Sequence, residues 1–180
     1  MIRQCKSQDF ETILAIINDA AEAYRGVIPA DQWREPYMPE AELREEIQAG
    51  VEFCGYEQEG RLIGVMGVQA KGEVTLIRHA YVRTVHRNRG IGGQLLRFLY
   101  ERIQTPVLIG TWADAAWAIA FYQKHGFRLV DPELNQSLLH KYWTVTERHL
   151  AVSVALADER WFQTLRKEAE QSAKAIGDCR

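Results

Sequence analysis

The sequence predicts an α/β (α+β) fold in which helices cover both faces of a mixed sheet. Three β-prone segments follow one another across glycine-containing turns within residues 51–82, as in an antiparallel meander. Strand-like and helix-like segments then alternate toward the C terminus, which is typical of strands joined by helical crossovers. A chain of 180 residues supports one complete core more readily than two. We therefore expect a single domain over residues 1–180.

Apolar periodicity and turn residues place the individual elements. The predicted strands are residues 2–5, 51–58, 61–69, 74–82, 107–111, 127–130 and 149–157. The predicted helices are residues 7–26, 39–50, 91–103, 114–125, 134–143 and 159–176.

Composition excludes several functional classes. With 22 Lys and Arg against 24 Asp and Glu, the chain lacks the basic excess that nucleic-acid binding requires. The N terminus has no apolar signal segment, and no stretch approaches the ~18 apolar residues that span a bilayer. The cysteines Cys5, Cys54 and Cys179 are few, distant and without metal-ligand spacing. We expect a cytoplasmic protein that binds no nucleic acid, membrane or metal.

The richest functional signal lies between a strand and a helix. The predicted strand ends near Val82, the loop Arg87-Asn88-Arg89-Gly90-Ile91-Gly92 follows, and a helix begins at once. Amides at a helix N terminus have no intrahelical partner and carry partial positive charge, so they bind phosphate groups. Glycines allow close approach of the backbone, and arginines add charge-assisted hydrogen bonds. The loop is therefore predicted to bind a diphosphate.

The loop has three alternative interpretations, of which two are other nucleotide-binding motifs and one is a purely structural turn. A dinucleotide-binding fingerprint needs a third glycine where Leu95 stands, and an acidic residue at the end of the next strand, where only Asp114 is near. A Walker A loop needs a Gly-Lys-Ser/Thr sequence, which is absent. A tight strand-to-helix turn with solvated arginines stays an alternative, because short motifs occur by chance.

A second motif follows at the end of the next helix. Residues Ala118 to Phe127 read AIAFYQKHGF, with the pattern Ala-x-x-Phe-Tyr-x-x-x-Gly-Phe. The two motifs, in this order and with a strand between them, resemble the GNAT superfamily of acetyl-CoA-dependent N-acetyltransferases. The resemblance spans about residues 1–131 and includes the early helices and the meander.

The resemblance implies a sheet of about six or seven strands whose central parallel strands, residues 74–82 and 107–111, splay apart. The pantetheine arm of acetyl-CoA is then expected in the gap and the pyrophosphate on the loop amides. The residues that this implies for cofactor binding are Tyr81, Val82, Arg87, Asn88, Arg89, Gly90, Ile91, Gly92 and Gly93.

The resemblance also implies that Tyr122 is the acid that protonates the leaving thiolate, although a half-buried core tyrosine is the simpler alternative. The candidate general base is His79, because histidine is the side chain that commonly exchanges protons near neutral pH. Strand alternation places Ile77, His79 and Tyr81 on one face. Two alternatives stay open. His79 could be a structural residue held by packing and one hydrogen bond, or a water chain could carry the proton to solvent without a dedicated base.

The acceptor side is less defined. The family's N-terminal loop often lines the acceptor pocket, which makes Glu35 and Tyr37 candidate substrate-binding residues. The glutamates of the second helix, Glu40, Glu42, Glu45 and Glu46, could flank a cationic acceptor, but a solvated helix face is the favoured interpretation. Relatives usually carry Asn where this chain has Ala115, so one hydrogen bond to the cofactor arm or the substrate is missing.

We therefore expect an N-acetyltransferase that moves an acetyl group from acetyl-CoA to a primary amine of a small-molecule or peptide acceptor, by direct attack in a ternary complex. A non-catalytic acyl-CoA-binding or sensing module, and a structural protein with the same fold, are the alternatives. The C-terminal helix carries Trp161, Phe162 and Leu165 on one side, which could pack on the helix's own domain or on a second subunit of a homodimer.

Overall fold

Seven strands form one mixed sheet in the computed structural model, which describes residues 1–177. The order is β1-β2-β3-β4-β5-β7-β6, and of the neighbouring pairs only β4 and β5 run parallel. The strands are β1 (Ile2–Gln4), β2 (Glu52–Gln58), β3 (Arg61–Lys71), β4 (Val74–Val82), β5 (Val107–Trp112), β6 (Arg128–Leu129) and β7 (Ser153–Ala157). The prediction of a mixed sheet is confirmed; Cys179 lies outside the described residues.

The helices follow the predicted order with one addition. They are α1 (Phe10–Ala21), α2 (Glu40–Gln48), α3 (Ile91–Tyr100), α4 (Ala116–Lys124), α5 (Pro132–Tyr142), α6 (Glu147–Ala151) and α7 (Glu159–Gly177). Short 3₁₀ turns, Ser7–Asp9 and Glu22–Tyr24, flank α1. None of the helices within residues 1–177 combines the length and apolarity that a bilayer span requires.

The prediction that residues 149–157 form one strand was wrong in its first part, because residues 149–151 belong to α6. The Thr146 hydroxyl accepts a hydrogen bond from the backbone N–H of His149 at 3.2 Å and caps this helix. Leu150, which is 2% exposed, anchors the turn in the core. The strand β7 therefore begins only at Ser153.

The central strands are buried on both faces, because adjacent residues of a strand point in opposite directions. Ile77 and Ile109 pack with the apolar side of α3 on one face. Leu76 and Leu108 pack with α5 on the other. Beside α5, helices α1 and α2 cover the neighbouring strands through a cluster that includes Ile17. Both faces of the sheet therefore carry helices, as the sequence predicts.

The two parallel strands separate after a short paired stretch. Residues Thr75–Ile77 of β4 pair with Val107–Ile109 of β5, and β5 then continues in register with β7 alone. Of the described strands, only β3 pairs with the part of β4 that lies beyond Ile77. The sheet therefore opens between its central strands, as the family resemblance implied.

A β-bulge lies where β4 leaves β5. Gly67 pairs with Arg78 and Val65 with Tyr81, so that two residues of β4, His79 and Ala80, stand opposite Met66. The extra residue reverses the alternation that the sequence predicted.

Ile77 contacts the α3 side of the sheet, whereas Tyr81 packs against the α1 side. The prediction that Ile77 and Tyr81 share a face was therefore wrong. His79 and Tyr81 do share one, with ring centroids 6.4 Å apart.

A buried carboxylate joins the start of β5 to α3 and α7. Asp158, only 2% exposed, accepts hydrogen bonds from the Tyr100 hydroxyl (3.1 Å) and from the backbone N–H of Val107 (3.1 Å). It also accepts from Arg160 Nε (2.6 Å) and from the backbone N–H of Trp161 (3.1 Å), which caps α7. If this carboxylate is removed, Tyr100, Val107 N–H and Arg160 Nε lose this acceptor, whereas the Trp161 N–H keeps its 3.2 Å bond to the Asp158 carbonyl.

Replacement of this carboxylate by an amide tests its structural role. In Asp158→Asn one acceptor oxygen becomes an NH₂ group that faces N–H donors, so the free energy of unfolding should fall by about 1–3 kcal/mol. Urea denaturation followed by circular dichroism measures the loss. Asp131→Asn is the matched control, because Asp131 precedes α5, is exposed and makes no side-chain cap. Equal losses in the two variants would contradict the role assigned to Asp158.

Candidate active site

The separation of β4 from β5 opens a cleft of about 1130 Å³. This is large enough for an extended ligand, since pockets for small molecules usually measure about 300–1,000 Å³. Of the residues that the sequence singled out, those lining it are His79, Tyr81, Val82, Arg87, Asn88, Gly90, Ile91, Gly92, Gly93 and Tyr122. One cleft therefore brings together most of the predicted cofactor-binding residues and both predicted catalytic residues.

The loop before α3 lines this cleft, and its backbone amides lack backbone partners. Asn88 (φ 60°) and Gly90 (φ 75°) adopt left-handed backbone conformations. In turns that contain such residues, successive backbone N–H groups can form a concave anion-binding site. The first amide to donate a backbone hydrogen bond after the loop is that of Gln94, to the Gly90 carbonyl at 3.1 Å. Within the described chain, the amides of residues 88–93 donate to no backbone carbonyl. We call these amides the amide cradle.

Cationic side chains lie in or near the loop that forms the amide cradle. Arg87 lines the cleft and also donates through Nη2 to the Ala20 carbonyl at 2.6 Å, which ties the loop to α1. Arg89 is exposed, with a long contact of 3.4 Å to the Val85 carbonyl, and lies outside the cleft lining. Arg97 of α3 and Lys124 of α4 line the cleft as well. The charges and the helix N terminus together favour an anionic ligand.

The two sequence motifs are in direct contact. A Cβ added at Gly93 would lie 2.8 Å from Nε2 of His125, and one at Gly92 would lie 3.4 Å from the ring of Phe121. The His125 ring is itself held by a 2.8 Å hydrogen bond between Nδ1 and the Phe121 carbonyl. These glycines therefore let α4 pack directly on the N terminus of α3, in addition to exposing the amides.

Tyr122 of α4 is 7% exposed and lines the cleft. Its ring packs edge-on against Phe121 and Phe127 at centroid distances of 5.0 and 6.2 Å. Burial raises the pKa of the Tyr122 phenol well above its usual range, because the phenolate is poorly solvated there. The phenol is therefore protonated at neutral pH and able to donate.

A second phenol in the cleft was not predicted. Tyr24, in the 3₁₀ turn after α1, lines the cleft edge-on to Tyr81, with ring centroids 6.4 Å apart. Trp117, which is 45% exposed, packs against Tyr24 at 5.4 Å. Burial raises the pKa of Tyr24 and of Tyr81. Tyr24 lies in a segment without a motif, so only the folded chain reveals its position.

His79 occupies the bulge with a left-handed backbone (φ 51°) and lines the cleft. Its Nε2 contacts Oε2 of Glu46 in α2. The other carboxylate oxygen accepts a hydrogen bond from Arg78 Nη2 at 2.8 Å. Glu46 is therefore half-buried between the His79 ring and the Arg78 guanidinium, and its interpretation as part of a solvated helix face was wrong.

The pKa of Glu46 reflects opposing effects. Burial raises it, whereas the hydrogen bond from His79 and the charges of His79 and Arg78 lower it. The lowering effects prevail, so the carboxylate is ionised at neutral pH. The cleft therefore contains a histidine with a fixed anionic partner.

The two predicted acceptor residues lie outside the cleft lining. Glu35 is exposed and pairs with Arg25 at 3.0 Å. Tyr37 accepts a hydrogen bond from Trp112 Nε1 at 2.9 Å and stacks on Tyr24 at 5.8 Å. It therefore contacts the cleft through its neighbours Tyr24 and Tyr81.

Ala115, at the usual Asn position, is fully buried in an apolar cluster with Ile28 and Trp112. The site therefore lacks a side-chain amide at this point. Among residues 1–177, no group of three or more His, Cys, Asp or Glu side chains is arranged to hold a metal ion.

Comparison with known proteins gives a family match over the central part of the chain. Residues 49–129 match the model of the acetyltransferase (GNAT) domain, which covers the meander, the amide cradle and the motif around Tyr122. No curated protein sequence matches the chain significantly.

Solved structures share the fold at low sequence identity. The PaiA N-acetyltransferase from Thermoplasma acidophilum, in complex with coenzyme A, is 17% identical, with a TM-score of 0.65 over 88% of this chain and 97% of that one. The ribosomal-protein-alanine N-acetyltransferase from Brucella melitensis is 21% identical, with a TM-score of 0.60 over 88% and 98%. A GNAT family acetyltransferase from Elizabethkingia anophelis, with acetyl-CoA bound, is 20% identical, with a TM-score of 0.57 over 88% and 97%.

At these identities the structures establish the fold, and the family match covers residues 49–129, a little under half of the chain. The seven-stranded sheet that opens between β4 and β5 agrees with both. The resemblance read from the two motifs is therefore confirmed: residues 49–129 match the GNAT acetyltransferase domain, and the described chain has the fold of solved GNAT acetyltransferases.

Proposed function

We propose that this protein transfers an acetyl group from acetyl-CoA to a primary amine, by direct attack in a ternary complex. The observation that carries the proposal is the amide cradle: its amides donate to no backbone carbonyl, and its residues other than Arg89 line the same cleft as Tyr122 and His79. Two of the structures with this fold contain coenzyme A or acetyl-CoA, which supports the choice of donor.

The chain offers two kinds of contact for this donor. The amide cradle and the neighbouring cations take the diphosphate. The part of β4 beyond Ile77 has a free backbone edge on the side of β5, and an extended ligand can add to such an edge as a further strand. The pantetheine arm lies along this edge near Tyr81 and Val82, which directs the thioester toward Tyr122.

The residues of the cleft then perform the proton transfers. Only about 1 in 10³ alkyl amines is neutral at pH 7, so the acceptor must lose a proton before or during attack. His79 accepts this proton as the amine nitrogen bonds to the thioester carbonyl carbon. A backbone N–H near Tyr81 or Val82 stabilises the oxyanion. When the carbon–sulfur bond breaks, Tyr122 donates a proton to the thiolate, and solvent restores both side chains.

The second candidate function is a non-catalytic module that binds or senses acyl-CoA. The observation that favours it is Ala115, which removes a polar side chain from the site. Thiol release from acetyl-CoA with a panel of small amines and peptides separates the two functions. Tight coenzyme A binding without thiol release on any acceptor supports the sensor.

Removal of the Tyr122 hydroxyl tests the acid. Tyr122→Phe should lower kcat about 10²-fold, at the lower end of the effect of general acid catalysis, because a thiolate is a good leaving group. The Kd for acetyl-CoA should not change, since the ring stays in place. Thiol-release kinetics and isothermal titration calorimetry measure the two quantities.

Tyr24→Phe is the matched control, because Tyr24 is a buried phenol of the same cleft. It should leave kcat unchanged. A large loss in Tyr24→Phe with none in Tyr122→Phe would transfer the acid role to Tyr24.

The cation beside the amide cradle is tested through coenzyme A affinity. Arg89→Gln should raise the Kd for coenzyme A about tenfold, the effect of losing one charge-assisted hydrogen bond of about 1.5 kcal/mol. It should not change the affinity for S-acetylpantetheine, which lacks the diphosphate.

Arg166→Gln serves as the control, because Arg166 is an exposed arginine of α7 that pairs with Glu159. Calorimetry of both variants with both ligands gives the comparison. An unchanged affinity for coenzyme A in Arg89→Gln would remove Arg89 from the site.

A further inference from the structure

We infer that Glu46 of α2 is a positioning residue for acetyl transfer: its carboxylate holds His79 in the tautomer whose Nδ1 accepts the proton of the acceptor amine. The inference rests on the proposed function and adds to it a residue outside both family motifs. Glu46 does not line the cleft, whereas His79 does, so Glu46 acts through the histidine.

The chemistry of the contact selects the tautomer. Nε2 of His79 meets Oε2 of Glu46, and an ionised carboxylate only accepts hydrogen bonds. Nε2 must therefore carry the hydrogen, and the lone pair of the neutral imidazole is then on Nδ1. A carboxylate that orients a histidine also stabilises the imidazolium formed when the histidine takes up a proton.

The carboxylate is itself held in place. Arg78 Nη2 donates to Glu46 Oε1 at 2.8 Å, and Arg78 Nη1 donates to Gln69 Oε1 at 3.0 Å. Gln69, only 2% exposed, donates through Nε2 to the carbonyl of Ala49 at the end of α2. The series begins and ends on α2, so it fixes that helix against β3 and β4 while it orients Glu46.

The bulge explains why one carboxylate reaches both residues. In a regular strand Arg78 and His79 would point to opposite faces. At the bulge both contact Glu46 on the α2 side. The left-handed conformation of His79 is unfavourable for a residue with a side chain. Such conformations concentrate at functional sites, where they aim a side chain.

The charged and titratable groups around His79 come from two elements. On its own strand they are Arg78 and Tyr81, whereas β2 presents the uncharged ring of Phe53. On the other side, Glu46 contacts His79, and the charge of Arg34 acts on Glu46. Glu46 is the anion in contact with His79, so removal of its charge should shift the pH dependence of catalysis toward lower pH.

Glu46→Gln tests the inference. It removes the charge and keeps the shape, so kcat/KM at neutral pH should fall about 10- to 100-fold, the usual effect of losing a group that orients a ligand histidine. The KM for acetyl-CoA should not change. Loss of the negative charge destabilises the imidazolium, so the acidic limb of the kcat/KM profile should move to lower pH. Glu46→Asp keeps the charge and should restore part of the activity.

Glu45→Gln is the matched control, because Glu45 precedes Glu46 on α2 and is exposed. It should leave both the rate and the pH profile unchanged. A purely structural ion pair at Glu46 would lower the thermal stability of Glu46→Gln without moving the acidic limb, and that result would overturn the inference.

A spectroscopic measurement is independent of activity. Long-range ¹H–¹⁵N spectra of the free protein should show His79 as a single Nε2–H tautomer, and Glu46→Gln should give a mixture. A wild-type Nδ1–H tautomer would overturn the inference. If the wild-type protein transfers no acetyl group, the proposed function fails, and the tautomer spectrum alone decides whether Glu46 orients His79.

Discussion

Beyond Ile77 and Ile109 the two central strands no longer share hydrogen bonds, and the rest of the site depends on that separation. Buried backbone N–H and C=O groups are almost always paired, so an open edge inside a sheet requires water or a ligand as its partner. The bulge at His79 and Ala80 helps to keep β4 away from β5 while β4 stays paired with β3. The same opening exposes the free edge of β4, admits Tyr122 from α4 and leads directly to the amide cradle.

The amide cradle and α4 depend on each other. A Cβ at Gly93 would lie 2.8 Å from Nε2 of His125, so a larger residue there would force His125 or α4 to move, whereas a Cβ at Gly92 would make ordinary contact with Phe121 at 3.4 Å. Displacement of α4 would also displace Tyr122, which lies between those two side chains in the sequence. This contact gives a physical reason why the two motifs occur together: one presents backbone donors and the other packs on them while it supplies a phenol.

The sequence was sufficient for features that local patterns encode. The meander, the strand-loop-helix around Gly90 and the helix that ends at Gly126 follow from periodicity, glycine positions and the N-terminal chemistry of helices. The bulge could not be predicted, because residues 74–82 alternate regularly and only the pairing with β3 places two of them opposite Met66. The pairing of Glu46 with His79 joins residues 33 positions apart, and no local pattern reports it. The helix α6 was missed because a single turn, fixed by Thr146, carries too little periodicity.

The account depends most on the amide cradle as the binding site of the diphosphate, and backbone NMR tests this directly. In a titration of ¹⁵N-labelled protein with coenzyme A, the amide resonances of residues 88–93 should shift in a saturable manner. Those of β1, on the far edge of the sheet, should stay in place. Saturable binding that leaves the resonances of residues 88–93 unchanged, or the absence of binding, would contradict the account.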